Sequence, residues 1–335
     1  MTVLRIADAA AAAIGFTSDS IAGQEASPLL SASTLDPDLA AQSALARYLD
    51  ETPHSSGWVA LDDSGSAVAV LAAQLELADE NHPGYTYMPP AYAYVPLSCW
   101  GVSSAYDGEK FLPQLVEQVA KDARELGIHR LLVQTRPHDW VAGGLWRQLG
   151  LMPDTILAGR RSTPPLAVSD DIDIRTVTGD DEDALVSLAF EEHDYHALNT
   201  GTGTRANQVV GPTRRAVREW IDDQAAGTDN AFVAVNAAGQ VVGSIALHTV
   251  TLPSESPGRN YYPALYGYIG LTSVTAEARG HGVGRALTAR ALTTFAARGI
   301  EHVLLHYVDD NSLSRPFWNR MGFSPLVVTL GGDIL

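Results

Sequence analysis

The sequence predicts an α/β (α+β mixed sheet) protein of two tandem domains, each a mostly antiparallel sheet with one parallel crossover flanked by helices. Three observations carry this. The chain repeats itself at a constant offset of 172 positions: Gly127-Ile128-His129-Arg130-Leu131-Leu132 reads like Gly299-Ile300-Glu301-His302-Val303-Leu304, Trp146-Arg147-Gln148-Leu149-Gly150 falls on Trp318-Asn319-Arg320-Met321-Gly322, and Pro153 on Pro325. In both copies an apolar run, a turn at Gly65 or Gly239 and a second apolar run read as a hairpin. In the second copy the turn Arg279-Gly280-His281-Gly282-Val283-Gly284-Arg285 joins an apolar run at 266–274 to a helical pattern at 285–298, the order of strand, crossover helix and parallel strand.

The copies meet at Ser162-Thr163-Pro164-Pro165 and the acidic stretch after it, which predicts domains at 1–163 and 164–335. Taken in order, the second copy predicts a strand at 172–177 and helices over 181–196 and 212–226. A hairpin over 232–252 follows, then the strand at 266–274, the helix from Arg285, a strand at 302–308 and a short helix at 312–321.

Composition narrows the function classes. A chain of 335 residues, 46% hydrophobic and 18% charged, buries a full core and by length holds two domains. No apolar run approaches the ~20 residues that span a bilayer, and the alanine run after Asp8 lacks the basic flank of a signal peptide. One cysteine, Cys99, leaves no intramolecular disulfide and fits a cytoplasmic location. The ten histidines show no metal-ligand spacing. A net charge of −17 disfavours nucleic acid and anionic membrane as partners and favours a cationic amine.

The glycine turn is where such a chain holds a phosphate. Glycines permit positive φ and let main-chain N–H groups approach an anion, and a helix starting there adds free N–H groups and the positive end of its dipole. A dinucleotide fingerprint needs Gly-x-Gly-x-x-Gly, which Gly280, Gly282 and Gly284 do not make.

Together these residues resemble the GCN5-related N-acetyltransferase (GNAT) family. Its phosphate signature, Gln or Arg, two residues, Gly, one residue, then Gly or Ala, is met by Arg279, Gly282 and Gly284, with Val274 at the end of the preceding strand. Its downstream pattern is met by Asn311, Gly322 and Phe323, with Ser314 replacing an alanine and Trp318 a tyrosine. The resemblance covers about 170–330 and implies acetyl-coenzyme A as co-substrate. Its pyrophosphate would lie on Gly280, His281, Gly282, Val283, Gly284 and Arg285, and its pantetheine arm beside Thr272, Ser273 and Val274. Arg279, Asn311, Ser314 and Trp318 complete the implied cofactor contacts.

A substrate amine is protonated at pH 7 and must lose a proton before it attacks. His306 stands five residues before Asn311, where some family members carry a catalytic glutamate, and an unperturbed imidazole suits this task. Glu191, Glu192, His193 and Asp194 form a second group at the acceptor side, with Glu192 the candidate relay. The residue at the usual acid position is Trp318, whose indole is too weak an acid, so Tyr307 and Tyr268 are the nearby phenols. Packing alone also accounts for Trp318, since Trp146 recurs at the matching place.

The first copy reads as a degenerate, non-catalytic partner. Its phosphate-loop positions are Asp107-Gly108-Glu109-Lys110-Phe111-Leu112, with two carboxylates where a pyrophosphate would sit, and Asp139 replaces Asn311. The expected function is transfer of acetyl from acetyl-coenzyme A to a primary amine of a small molecule or peptide. A catalytically retired acyl-coenzyme A sensor is the alternative.

Overall fold

The structure is a computed structural model, and it describes residues 2–22, 36–50, 54–79, 88–103, 110–163, 172–199, 210–225, 230–254 and 256–334. The first half runs β1 (Thr2–Arg5), α1 (Ala10–Ala22), α2 (Pro37–Leu49), β2 (Ser55–Leu61), β3 (Ala67–Leu77), β4 (Ala91–Val95), β5 (Trp100–Val102), α3 (Leu112–Glu125), β6 (Arg130–Thr135), α4 (Trp140–Gln148) and β7 (Met152–Arg161). The second runs β8 (Asp173–Thr176), α5 (Glu182–Asn199), α6 (Val210–Ala225), β9 (Ala231–Val235), β10 (Val241–Thr251), β11 (Leu265–Val274), α7 (Val283–Ala297), β12 (His302–Val308), α8 (Ser314–Arg320) and β13 (Ser324–Asp333).

The repeat is visible in the backbone. Gly127 and Gly299 follow the C-termini of α3 and α7 with φ of 72° and 71°, and Gly150 and Gly322 follow α4 and α8 with 87° and 83°. Each closes its helix in the left-handed conformation that a Cβ disfavours. Each half also has one parallel pair, β4 with β6 across α3 and β11 with β12 across α7. All other pairings in the described sheet are antiparallel. The mixed α/β class and its crossovers are as the sequence predicts; the helix expected from Arg285 starts two residues earlier, at Val283.

The sequence does not predict how the sheets of the two halves join. The strands form a single sheet ordered β1-β2-β3-β4-β6-β13-β7-β12-β11-β10-β9-β8, with β5 pairing β3. The last strand of each half thus lies beside the parallel strand of the other: β13 pairs β6, β7 pairs β12, and β7 and β13 pair with each other at the centre. An ion pair crosses this seam. Arg130 Nη2 on β6 donates to Asp154 Oδ2 on β7 at 2.7 Å, reaching past β13 at Gly331, where a Cβ would lie 2.7 Å from that oxygen and 2.9 Å from the guanidinium. Glycine at 331 is what lets the pair close.

Helices cover both faces. Leu115, Val119 and Trp146 on one side of the first half, and Leu287, Phe295 and Trp318 on the same side of the second, build the two largest cores with the sheet residues beneath them. Phe295 lies so close to β11 that a Cβ at Gly267 would fall 2.6 Å from its ring. On the opposite face α1 and α2 cover one half and α5 and α6 the other. Between them, Leu97 and Leu157 of the first half pack with Tyr261, Leu304 and Val327 of the second.

Candidate active site

β11 is paired on both edges only at its start. Gly267, Tyr268 and Ile269 pair with Val303, Leu304 and Leu305 of β12, and beyond that the register with β12 ends. On its other edge β11 stays bonded to β10 out to Val274, through a bulge between Ile269 and Thr272. A strand that curves away from its neighbour in this way presents main-chain N–H and C=O groups to a ligand that runs alongside as an extra strand. Thr272 and Val274 are half-buried there and Ser273 is buried.

The chain then turns through Ala276–Ala278 into α7. Gly280 and Gly282 have φ of 81° and 88°, and neither site is crowded, so conformation rather than space demands glycine at both. Gly282 is the N-cap and no side chain caps the helix. The first N–H groups of α7 therefore have no intrahelical acceptor and lie beside exposed Gly280, His281 and Arg285. Gly284 is a matter of space: a Cβ would sit 3.1 Å from the Phe317 ring. Val283 is buried against Gly243, where a Cβ would lie 3.0 Å from its Cγ1.

Arg279 points inward rather than to the loop tip. Its Nε donates to Val274 O at 3.0 Å, its Nη2 to Glu191 Oε1 at 3.2 Å, and the guanidinium lies 5.5 Å from the Tyr195 ring centroid. Glu191 Oε1 also accepts from Ala276 N at 2.9 Å. Sequence reasoning placed Glu191 at the acceptor side; the four-residue spacing of Glu191 and Tyr195 on α5 was the available signal for a shared face.

His306 faces the side of the sheet covered by α5. Tyr268 Oη lies 2.9 Å from His306 Nδ1, and His248, directly across from Tyr268 on β10, stands 6.2 Å away by ring centroids. The His248 Nε2 fills the space above Gly270, 2.8 Å from where a Cβ would be. The His306 side chain is exposed, and desolvation by the protein packed around it lowers its pKa to about 4. The same cause lowers that of His248. Burial raises Tyr268 to about 12, so the phenol keeps its proton.

The remaining candidates lie elsewhere. Tyr307, next along β12, points to the other face and is buried in the core with Trp318, so the strand separates it from His306. Trp318 packs edge-on between Phe317 and Phe323 at 4.8 and 5.4 Å. Asn311 Oδ1 accepts from Leu313 N and Ser314 N and so holds the turn into α8; the Ser314 hydroxyl is buried there. Glu192 sits 3.4 Å from His196 Nδ1 and 3.8 Å from His193 Nε2, and His193 is buried with its pKa lowered by desolvation.

The corresponding place in the first half is closed. β4 parts from β6 after Val95, but Trp100 Nε1 donates to Gln134 O at 2.8 Å and Leu97 N to Gln134 Oε1 at 3.2 Å, so side chains fill the opening. Pro113 lies in the first turn of α3, where it removes an N–H. Asp139 caps α4 through Ala142 N, the role Asn311 has in the other half. Asp107, Gly108 and Glu109 lie outside the described residues, as does 164–171 of the linker. Among the described residues no cluster of side chains is arranged to hold a metal, and no helix is long and apolar enough to cross a membrane.

The end of β11, the left-handed glycine turn and the uncapped start of α7 thus lie together beside the point where β11 and β12 part. Residues 203–323 match the sequence model of the Acetyltransferase (GNAT) family, and the chain carries a domain of that family. Among curated relatives, it is 29% identical over 182 residues to mycothiol acetyltransferase of Saccharomonospora viridis, covering 54% of this chain and 55% of that protein. It is 30% identical over 165 residues to the mycothiol acetyltransferase of Amycolatopsis mediterranei, covering 48% and 49%. The chain thus spans about half the length of the curated relatives it matches. Among solved structures, a GCN5-related N-acetyltransferase from Sphaerobacter thermophilus superposes with a TM-score of 0.58 at 19% identity, over 98% of this chain and 92% of that one. A tandem GNAT protein from the clavulanic acid biosynthesis pathway gives 0.50 at 18%, over 96% and 94%. At these identities the likeness shows the fold, which is the tandem GNAT fold.

Proposed function

We propose that this protein is an acetyl-coenzyme A-dependent N-acetyltransferase that acetylates a primary amine of a small molecule, with one cofactor site, in the second half. The observation that carries the reading is the parting of β11 from β12 immediately before the Gly280 to Gly282 turn and the uncapped start of α7. That arrangement fits the cofactor in both its parts. Free N–H groups meet a pyrophosphate, and a free strand edge meets the amides of a pantetheine arm.

When bound, acetyl-coenzyme A supplies a thioester carbonyl open to attack by an amine. A main-chain N–H of the parted strand, at Thr272, Ser273 or Val274, would be the donor to that carbonyl oxygen. His306 takes the amine proton. For this its Nδ1–H would donate to Tyr268 Oη, leaving Nε2 free to accept; the lowered pKa keeps the ring neutral while making it a weaker base than the free imidazole expected from the sequence. Glu192, among His193 and His196, attracts a cationic amine on the same side of the sheet. With Trp318 locked between Phe317 and Phe323, and Tyr307 in the same core, neither is assigned proton delivery; a thiol with a pKa of ~8.5 leaves as the thiolate. The first half contributes Leu97, Leu157 and Gln134 to the wall facing Tyr261 and Tyr262.

The similarity to mycothiol acetyltransferases makes the amine of a cysteinyl sugar thiol the first acceptor to try, followed by aminoglycosides and short peptides. Release of free thiol from acetyl-coenzyme A is measured with each. Amine-dependent release supports the enzyme; tight binding of the cofactor with no release by any amine class would establish the sensor instead.

A further inference from the structure

We propose that Glu191 is a positioning residue for cofactor binding: it fixes the base of the phosphate loop to α5, and α5 in turn fixes the opposite lip of the cleft. The inference rests on the acetyl-coenzyme A reading of that cleft.

The tip of the loop has little to hold it. Gly280, His281 and Gly282 are exposed, and nothing stands within 4 Å of a Cβ position at Gly280. Glycines in an unsupported turn sample many conformations, and an anion that orders them must offset that entropy. The order must come from the loop's base. There one carboxylate oxygen, Glu191 Oε1, accepts from Ala276 N at 2.9 Å and from Arg279 Nη2 at 3.2 Å, while Arg279 Nε returns to Val274 O at 3.0 Å. Strand end, turn and helix α5 are thereby tied at one point.

The same helix face reaches the other lip. Tyr195, one turn after Glu191, lies under the Arg279 guanidinium, and its Oη is 3.1 Å from Ser312 Oγ in the turn that leads from β12 to α8. Residues 191 and 195 therefore set the span between the end of β11 and the end of β12, the span across which the strands have parted. With its guanidinium committed inward, Arg279 is a strut, and the anion is left to the main-chain N–H groups at the start of α7.

A structural ion pair and a positioning one differ in what they move. The Glu191 and Arg279 side chains are 37% and 34% exposed, and a pair that open to water contributes little to global stability. Glu191→Ala is therefore expected to shift the melting temperature little while weakening coenzyme A binding about tenfold, with the loss in the acetyl-coenzyme A KM rather than in kcat. Glu191→Gln keeps the acceptor oxygen and restores affinity to within about threefold of wild type. Calorimetric titration of coenzyme A into wild type and both variants reads this directly, and Tyr195→Phe, which removes only the bond to Ser312, gives a second route if Glu191→Ala does not fold. Unchanged or tighter binding by Glu191→Ala overturns the proposal, as does an equal loss in Glu191→Gln. Absence of binding by wild type itself would instead overturn the acetyl-coenzyme A reading.

Discussion

Tyr268 and His306 stand on the two strands of the parallel pair β11 and β12, with the phenol oxygen 2.9 Å from the imidazole Nδ1. The pairing fixes which ring nitrogen remains for an amine. His306→Gln is expected to lower kcat by about 10²-fold or more, and Tyr268→Phe by less, because it costs orientation and not the base itself. Steady-state kinetics with a saturating amine checks this; a His306→Gln enzyme with wild-type kcat would remove His306 from the mechanism.

The pH dependence follows from the same ring. His306 must be neutral to act, and with its pKa lowered to about 4 the acidic limb it imposes on kcat lies near pH 4 rather than near the ~6.5 of a free imidazole. Stability has a matching sign. Between those two pH values the unfolded chain binds a proton that the folded one does not, so the contribution is intact above ~6.5 and is lost as pH falls toward 4. Thermal melts across that window should show wild type losing stability relative to His306→Gln as pH falls.

Gly282 carries a φ of 88° without crowding, so Gly282→Ala tests conformation alone. Holding an L side chain in the left-handed region costs about 1 kcal/mol or more, and the acetyl-coenzyme A KM should rise by roughly fivefold to tenfold. Gly280→Asp adds a carboxylate to the same cradle and should abolish binding altogether. Residual binding of one coenzyme A per chain in that variant would show a second site and refute the single-site reading.

At the seam of the exchanged strands, Gly331→Ala places a methyl group where Arg130 and Asp154 meet. Asp154 is almost fully buried, and its carboxyl is raised above the usual range by desolvation, against the pull of Arg130. Parting a buried pair leaves a charge uncompensated, so the variant should lose about 2 kcal/mol or more. Asp154→Ala combined with Gly331→Ala should cost much less than the sum, measured by denaturant unfolding.

Much of the site was legible before any coordinates. The glycine turn, the strand before it and the helix after it follow from local chemistry, since positive φ and a free helix start are properties of a few adjacent residues. The sequence offers Tyr307 as a candidate beside His306 and the structure removes it; the signal that could have done so is strand alternation, which puts adjacent residues on opposite faces. The direction of Arg279 was not legible, because its partner Glu191 lies on another helix and only packing brings the two together.

By itself, the sequence determined the duplicated unit, its mixed sheet with one crossover per copy, and the glycine turn before the helix of the second copy, all of which are written in short-range periodicity and in glycines whose φ a side chain opposes. Only the tertiary structure decided that β7 and β13 trade places, that Trp100 and Gln134 close the first cleft, and that Tyr268 meets His306. Strand order, cavity filling and side-chain pairing across strands depend on contacts between residues far apart in the chain, and no local pattern specifies them.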